Sequence, residues 1–212
     1  MASLYPIYAD LTGRSVLVVG GGVVAARKVG ALLERQIQVT VVSPEICPEL
    51  QELRDDSGLV IHQRSYRPGD LSEHWLVIAA TDDSELNQKI FAEAAEARVF
   101  CNVVDQPELC SFQVPAVVGR GPLQIAISTG GASPALAKRI RQQLQEQFGP
   151  AYVQLLAGLL ELRGYFQKKY SQEPARRQKL LEAFLDSEAV DLLLKHSDLQ
   201  SFTVELARWK SR

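Results

Sequence analysis

The chain has 212 residues, enough for one large domain or for one moderate domain with an appendage. Hydrophobic residues make up 46% of it and charged residues 23%, which is typical of an ordinary globular protein. The formal net charge is −2, no apolar run reaches the length of a membrane span, and no nucleic-acid-reading motif occurs. We therefore expect neither a nucleic acid nor a membrane as a partner.

The cysteines and histidines predict no metal site and no disulfide framework. Cys47, Cys101 and Cys110 form no C-x-x-C pair, and the three histidines are scattered along the chain. The first residues, MASLYPIYADL, lack the basic start and apolar core of a signal peptide. We expect a cytoplasmic protein.

The first predicted strand and the first predicted helix meet at three glycines. Val16–Val19 is a continuous apolar run, typical of a strand buried on both faces of a parallel sheet, and a helical pattern begins at Val23. Gly20, Gly22 and Ala25 match G-x-G-x-x-G/A, the fingerprint of a turn that binds a dinucleotide pyrophosphate at a helix N-terminus. Glycines also serve plain sharp turns, so it is the position between strand and helix that favours a dinucleotide site.

The second predicted strand, Gln38–Val42, departs from this fingerprint at its end. Dinucleotide folds place an Asp or Glu about 20 residues after the glycines, where it binds ribose hydroxyls. Here Ser43 follows the strand and Glu45 stands two residues later. Ser43 can still hydrogen-bond a ribose hydroxyl, and a preference for NAD over NADP is only weakly indicated.

Strand-like and helical segments then alternate. The predicted strands are Leu59–Gln63, Trp75–Ala79 and Val99–Val104, and the predicted helices are Pro48–Asp55 and Ser84–Ala97. The connection SYRPGDLSEH is too short and too rich in turn formers for a full helix. This alternation predicts an α/β fold with a doubly wound parallel sheet of the Rossmann type over about residues 12 to 112.

Ligands of such sheets bind beyond the carboxyl ends of the strands, where two further spots fall. After the fourth strand, Thr81 and Asp82 can line a nucleotide, although capping of the next helix explains Asp82 and Asp83 about as well. The fifth strand brings Asn102 and Asp105 to the same edge. Asp105 is either a turn former or a general base on the nicotinamide side of the fold.

The pattern changes after Asp105. Gln113–Val118 and Leu123–Ser128 flank GRGP with alternating apolar residues, which predicts an antiparallel hairpin that needs a covering partner. The following STGGASP is either a second anion-binding nest or a turn, with Ser133 as the N-cap of a helix and Pro134 at its first position.

The remainder of the chain is predicted to be helical. The helices are expected at Tyr152–Tyr170, Ala175–Leu185 and Ala189–Lys195. Residues 136 to 180 hold nine Lys or Arg and three Glu, a net charge of +6, so the rest of the chain carries −8. Such a segment is usually a solvated helical face, but it also suits an anionic ligand. We expect a dinucleotide-binding domain over 1–112, a hairpin–helix segment over 113–148 and a helical domain over 149–212.

Four motifs in this order closely resemble the precorrin-2 dehydrogenase/sirohydrochlorin ferrochelatase module of siroheme synthase. They are LYPIYADLTGRSVLVVGGGVVAARK, AATDD followed by LN, CNVVDQPELCSFQVPAVV, and STGGASPALAKRIR. The resemblance runs in register from about Leu4 to Gln147 and continues loosely through the helical tail. No methyltransferase module follows, so the stand-alone form is expected.

The resemblance implies an activity, a cofactor and a site. Members of the family oxidise the tetrapyrrole precorrin-2 to sirohydrochlorin with NAD, and many then insert Fe(II) to make siroheme. The family's catalytic aspartate falls on Asp105. The predicted cofactor-binding residues combine the family's nucleotide contacts with the glycine-fingerprint and strand-end residues. They are Gly20, Gly22, Val23, Val24, Ala25, Ser43, Pro44, Glu45, Thr81 and Asn102.

The resemblance also implies where the substrate and a second copy of the chain bind. The serine of the family's S-S-G-G-T-S-P loop, close to the tetrapyrrole, falls on Thr129, and Ser128, Gly130 and Ser133 belong to the same loop. A homodimer intertwined through 112–148 is implied. The +6 helical segment suits the carboxylates of the substrate.

Two other functions remain open from the sequence. One is a dehydrogenase alone, with metal insertion left to a separate protein. The other is a dinucleotide-sensing regulatory domain, which would need neither the basic tail nor the strand-end aspartate.

Overall fold

A computed structural model describes residues 4–211 of the chain. These residues form two compact units, one that ends at Val114 and one that begins at Pro115. We call them the α/β unit and the hairpin–helix unit.

The α/β unit contains five strands and three α-helices. The strands are β1 (Ser15–Val19), β2 (Gln38–Val42), β3 (Leu59–His62), β4 (Leu76–Ala79) and β5 (Phe100–Val103). The helices are α1 (Val23–Leu33), α2 (Pro48–Gln51) and α3 (Ser84–Ala97), and a short 3₁₀ turn spans Pro107–Leu109. No helix of the described part of the chain is long and apolar enough to cross a membrane.

The five strands make one parallel sheet in the order β3-β2-β1-β4-β5. This is the order of a Rossmann-type doubly wound sheet, so the predicted fold class is confirmed. The chain moves outward from β1 to β3 on one side and then crosses back to β4 on the other side. The strand order therefore reverses between β1 and β4, where such folds bind their ligands.

Both faces of the sheet are covered, which explains the continuous apolar run of β1. Val16 and Val18 pack with Val29 of α1 on one face, and Leu17 packs with Ile90 of α3 on the other. All five side chains are fully buried.

One helix of the α/β unit differs from the sequence-based prediction, and one predicted connection agrees with it. The helix expected at Pro48–Asp55 ends at Gln51, because the next backbone bonds join residues three apart, as in turns: Arg54 N–H donates to the Gln51 carbonyl, and Asp56 N–H to that of Leu53. The β3–β4 connection contains no helix, as its composition predicts.

The hairpin–helix unit begins with strands β6 (Ala116–Arg120) and β7 (Leu123–Ile127), which pair antiparallel. The first strand starts later and ends later than predicted, because Gly119 and Arg120 of the GRGP segment pair with Gln124 and Leu123. Gly121 has φ +56°, a conformation that tight hairpin turns require and that glycine adopts without strain.

Five helices follow the hairpin: α4 (Pro134–Gln147), α5 (Ala151–Lys169), α6 (Pro174–Leu185), α7 (Glu188–His196) and α8 (Leu199–Ser211). The last four share an aromatic core in which Phe184 contacts Phe202 and Trp209 with ring centroids 5.8 Å apart in both pairs. The three helices predicted after 150 are present with small shifts in their ends, and α8 was not predicted separately. By contrast, α4 contributes no buried residue.

Candidate functional site

The predicted nucleotide residues lie where β1, β2, β4 and β5 end, at the carboxyl edge of the parallel sheet. Gly20 follows β1, Ser43 follows β2, Thr81 comes two residues after β4, and Asn102 is in the last part of β5. The α/β topology therefore gathers at one edge residues that are up to 82 positions apart in sequence.

Gly20 and Gly21 are packed so closely that neither has room for a side chain. Gly20 has φ +117°, and a Cβ there would overlap the carbonyl of Ala80. A Cβ on Gly21 would overlap the Glu45 carbonyl and lie 2.8 Å from the Ser43 hydroxyl. These two glycines let the ends of β2 and β4 close around the turn after β1.

Gly22 is different, because a Cβ at this position would meet nothing within 4 Å. It is the N-cap of α1, and no side chain caps the helix, so the N–H groups of the first turn have no intrahelical or side-chain acceptor. Val23 and Val24 in that turn are 62% and 38% exposed, although both are apolar. The free N–H groups, the positive end of the helix dipole and the open space together form a cradle that fits a pyrophosphate.

Ser43 is buried and already holds a partner. Its hydroxyl donates to the Glu45 carbonyl at 2.7 Å, and the N–H of Cys47 donates to the Gly21 carbonyl at 2.8 Å. Ser43 therefore closes the loop after β2 over Gly21, and its donor is engaged within the protein. The side chains of Pro44 and Glu45 are exposed at this edge.

Thr81 is fixed by Asn87 of α3. The Thr81 hydroxyl donates to Asn87 Oδ1 at 2.8 Å, and Asn87 Nδ2 donates to the Thr81 carbonyl at 3.0 Å. Asp83 Oδ1 accepts from the N–H groups of Glu85 and Leu86, both at 3.0 Å, so Asp83 is the N-cap of α3. The capping explanation thus holds for Asp83, while Asp82 is exposed.

Asn102 supports the segment that follows β5. Its Nδ2 donates to the Phe112 carbonyl at 3.0 Å, and Cys110 Sγ accepts from the Val103 N–H at 3.3 Å.

Burial raises the pKa of the Cys101 thiol to about 12 and also raises that of Cys110, so both thiols are protonated at neutral pH.

Asp105 is exposed and stands in a left-handed backbone conformation, with φ +60°. It lies in the turn that the bond from Gln106 N–H to the Val103 carbonyl closes, immediately after β5. Asp and Asn tolerate this conformation better than other residues with a side chain. The turn presents the Asp105 carboxylate at the same edge of the sheet as the glycines.

Lys28, on the second turn of α1, is a charged residue near Asp105 that the sequence analysis did not single out. Its pKa is lowered, mainly by burial and also by Arg27, while the negative charge of Asp105 opposes this shift. Gly21 and Asn87 were missed as well. The run of three glycines was the available signal for Gly21, whereas nothing local indicates that Asn87 is buried.

The four predicted substrate-contact residues lie in the other unit, between β7 and α4. Thr129 Oγ1 accepts from the Ser133 N–H and donates to the Ser133 carbonyl, both at 3.2 Å. Ser128 Oγ accepts from the Gly130 N–H, and Ser133 Oγ caps α4 by accepting from the Leu136 N–H. Gly130 and Gly131 both have positive φ. The loop is therefore a hydrogen-bonded turn.

The sequence matches two family models. Residues 7–116 match the model described as "Putative NAD(P)-binding", which is more than half of the chain, and residues 120–147 match "Sirohaem biosynthesis protein central".

Curated relatives and a solved structure resemble the chain over most of its length. It is 40% identical over 206 residues to a siroheme synthase of Thioalkalivibrio sulfidiphilus, covering 96% of this chain and 42% of the relative. It is 42% identical over 173 residues to a siroheme synthase of Methylobacillus flagellatus, covering 81% and 37%. The chain thus spans about two fifths of the length of these relatives. A solved structure titled "SirC, precorrin-2 dehydrogenase" superimposes with a TM-score of 0.74 at 28% identity, covering 98% of this chain and 99% of that one.

Proposed function

Since the chain belongs to the family of siroheme synthase N-terminal modules, we propose that it oxidises precorrin-2 to sirohydrochlorin with NAD. One observation supports this most strongly. A carboxylate, Asp105, stands in a left-handed turn at the carboxyl edge of the sheet that also holds the open glycine cradle at Gly22. A dehydrogenase needs a proton acceptor beside a nicotinamide site.

NAD is the cofactor of the α/β unit, and the residues present fit it. The space beside Gly22 is open, and a side chain at this position would occupy the volume that the pyrophosphate needs. The first turn of α1 offers N–H groups that no side chain caps. Gly22, Val23 and Val24 would hold the pyrophosphate. Glu45, exposed after β2, is the acid available for the ribose hydroxyls and would repel a 2′-phosphate, which favours NAD over NADP.

The reaction removes two electrons and two protons from the substrate. When bound, NAD⁺ would supply the hydride acceptor, and the overall balance would be precorrin-2 plus NAD⁺ giving sirohydrochlorin, NADH and one proton. In this proposal the Asp105 carboxylate receives that proton from the tetrapyrrole and releases it to solvent. Its exposed position in a fixed turn gives both access to the substrate and a path to water.

The oxidation is tested by mixing the protein anaerobically with precorrin-2 and NAD. We expect sirohydrochlorin absorbance and NADH absorbance to rise together, one NADH for each tetrapyrrole oxidised. A protein that binds NAD but leaves precorrin-2 unchanged would contradict the proposal and would favour a dinucleotide-sensing domain.

A second activity, insertion of Fe(II) into sirohydrochlorin, is favoured by the similarity to proteins named siroheme synthase. Within residues 4–211, no group of three or more His, Cys, Asp or Glu could hold a metal ion. In this proposal the iron is a substrate of the second reaction. Insertion releases two pyrrole protons, for which Asp105 is again the acceptor. Siroheme formation from sirohydrochlorin and Fe(II), measured against the rate without protein, tests this. A rate equal to the uncatalysed rate would contradict metal insertion and leave oxidation of precorrin-2 as the proposed activity.

The hairpin–helix unit is proposed to bind the tetrapyrrole and a second copy of the chain. The loop 128–133 contains hydroxyl groups and the basic helices contain cationic groups that suit carboxylates. Leu136, Ile140 and Leu144 recur every four residues on α4, yet none is buried. A homodimer that covers this face removes the exposed apolar stripe.

A cytoplasmic location is part of the proposal. Cys47, Cys101 and Cys110 are all free thiols. Free thiols persist in the reducing cytoplasm, where disulfides are rare.

A further inference from the structure

Lys28 is a half-buried cation without a counter-ion. Among residues 4–211 it makes no ion pair within 4.0 Å, whereas Arg64, Arg176, Lys195, Arg208 and Lys210 all do. Burial of an ammonium that is not paired costs free energy, and its lowered pKa is the consequence. Lys28 is thus less favourably placed than a fully solvated lysine would be.

The geometry of α1 gives the direction in which Lys28 points. A Cβ on Gly30 would contact Leu53, just after α2, so the Gly30 flank of the helix faces α2. Lys28 is two positions earlier, about 200° around the helix, and therefore lies on the opposite flank. Val104, the neighbour of Asp105, packs against the apolar cluster that contains Ala25 and Val29 of α1, and the charge of Asp105 acts on Lys28.

Helical side chains lean toward the N-terminus of their helix, so Lys28 extends over Val24. Val24 is in the open first turn, beside the pyrophosphate cradle, and is 38% exposed. The Lys28 side chain therefore extends toward the carboxyl edge of the sheet, where the cradle and the Asp105 turn lie.

We propose that Lys28 is a substrate-binding residue that pairs with one carboxylate of the tetrapyrrole. This rests on the proposed function, because a tetrapyrrole whose reacting carbon is at Asp105 spreads its peripheral carboxylates several ångströms around that point. The arriving carboxylate supplies the missing counter-ion, and an ammonium–carboxylate pair that excludes water is stronger than one in solvent. The cofactor's pyrophosphate is the other anion expected at this edge of the sheet, and the experiment separates the two.

The test compares Lys28→Met, which keeps the aliphatic stem, with Lys28→Arg, which keeps the charge. Arg27→Met is the matched control, since Arg27 is an exposed cation one residue away on the same helix. Four quantities are measured for each variant: KM for precorrin-2, kcat, the Kd for NAD, and the Kd for sirohydrochlorin by absorbance titration without NAD. The last requires no turnover.

For Lys28→Met we expect KM for precorrin-2 and the sirohydrochlorin Kd to rise about 10- to 100-fold, because one charge-assisted hydrogen bond is lost. Lys28→Arg should recover most of this affinity, and Arg27→Met should match the wild type. The NAD Kd should stay within about twofold. The melting temperature of Lys28→Met should be unchanged or higher, because an uncompensated charge is removed.

Two results would overturn the inference. Unchanged sirohydrochlorin affinity in Lys28→Met would remove Lys28 from the substrate site, and a rise in the NAD Kd alone would assign it to the cofactor's phosphate. Failure of the proposed function is distinguishable, since the wild-type protein itself would then bind no sirohydrochlorin and oxidise no precorrin-2.

Discussion

The three consecutive glycines after β1 have three different physical roles. Gly20 requires a positive φ and lies against the Ala80 carbonyl. Gly21 lies against the Glu45 carbonyl, and Gly22 faces open space with φ −83°. The packing of the turn requires the first two glycines, and we expect the third to leave space for the cofactor.

This division predicts opposite phenotypes for two neighbouring substitutions. In Gly21→Ala the new methyl group must displace the backbone of the loop after β2, so we expect a loss of stability of about 1–3 kcal/mol. In Gly22→Ala nothing obstructs the methyl group, and the melting temperature should be unchanged while NAD binding weakens. Thermal unfolding and NAD titration check both. A Gly22→Ala variant with wild-type NAD affinity would contradict the cradle.

At this site, some residues had roles that the sequence predicts and others did not. The spacing of Gly20, Gly22 and Ala25 predicted a strand–turn–helix corner, because this pattern is local. The role of Gly21 depends on Ser43 and Glu45, which reach it only after the sheet has formed. Ser43 was predicted to offer its hydroxyl to a ribose, and the structure shows that hydroxyl donating to Glu45.

At the scale of elements, the β3–β4 connection is held by polar contacts as well as by Leu71, which is buried in the apolar cluster on the α3 face of the sheet. Arg64 donates from both terminal nitrogens to Asp70 at 2.7 and 2.8 Å. Tyr66 and the Gly69 N–H donate to Glu93 of α3, each at 2.6 Å. The Arg64 pair holds the pKa of Asp70 below its usual range.

His74, at the end of this connection, makes stability depend on pH. Burial lowers its pKa, with His62 adding to the shift and Glu73 and Asp70 opposing it, and its Nδ1 is 2.8 Å from the Ser15 hydroxyl. The unfolded chain takes up a proton at about pH 6.5, before the folded chain does. The contribution of His74 is therefore full above that pH and is lost as the pH falls below it.

His74→Asn removes this titration and keeps a side-chain group that can bond to Ser15. We expect a smaller fall in the free energy of unfolding between about pH 7 and pH 5 than in the wild type, measured by urea denaturation at each pH. The same slope in both proteins would show that His74 does not contribute to the acid sensitivity.

Helix α5 contains two glycines that should respond in opposite ways to alanine. A Cβ at Gly158 would lie 2.7 Å from Cζ of Phe202 in α8, whereas a Cβ at Gly164 meets nothing within 4 Å. Gly164→Ala should stabilise the protein by up to about 1 kcal/mol through helix propensity. Gly158→Ala gains the same propensity but displaces a buried ring, and a net loss is expected by thermal unfolding. Stabilisation by both substitutions would contradict the close packing of α5 on α8.

Elements were predictable where the signal was local and periodic. The strands of the sheet and α3 were found within one or two residues, because apolar runs and a capping Asp mark them. The first hairpin strand was shifted, since its end depends on a turn at Gly121 rather than on GRGP as a whole. The packing of Gly158 on Phe202 depends on residues 44 positions apart and has no local signal.

At the scale of the whole molecule, the apolar stripe of α4 is the basis for expecting a dimer. Leu136 is 49% exposed, and Ile140 and Leu144 are only partly buried. We expect a homodimer in sedimentation at micromolar concentration, and Ile140→Asp should shift it toward the monomer. Gln142→Asp, on another face of α4, is the control. A wild-type monomer at these concentrations would contradict the expected assembly.

The proposed oxidation depends on one carboxylate, and Asp105→Asn is the variant that isolates its basicity. Asparagine is nearly isosteric and tolerates the positive φ of this turn, whereas alanine would add backbone strain. The fold, the melting temperature and the NAD affinity should therefore be retained.

The most direct measurement is the anaerobic single-turnover rate of NADH formation from precorrin-2 with Asp105→Asn and with the wild type, both saturated with NAD. If Asp105 accepts the proton, the rate should fall by about 10²–10⁴-fold, the usual contribution of a positioned general base. A rate within a few fold of the wild type would show that Asp105 only shapes the turn after β5 and would contradict its catalytic role.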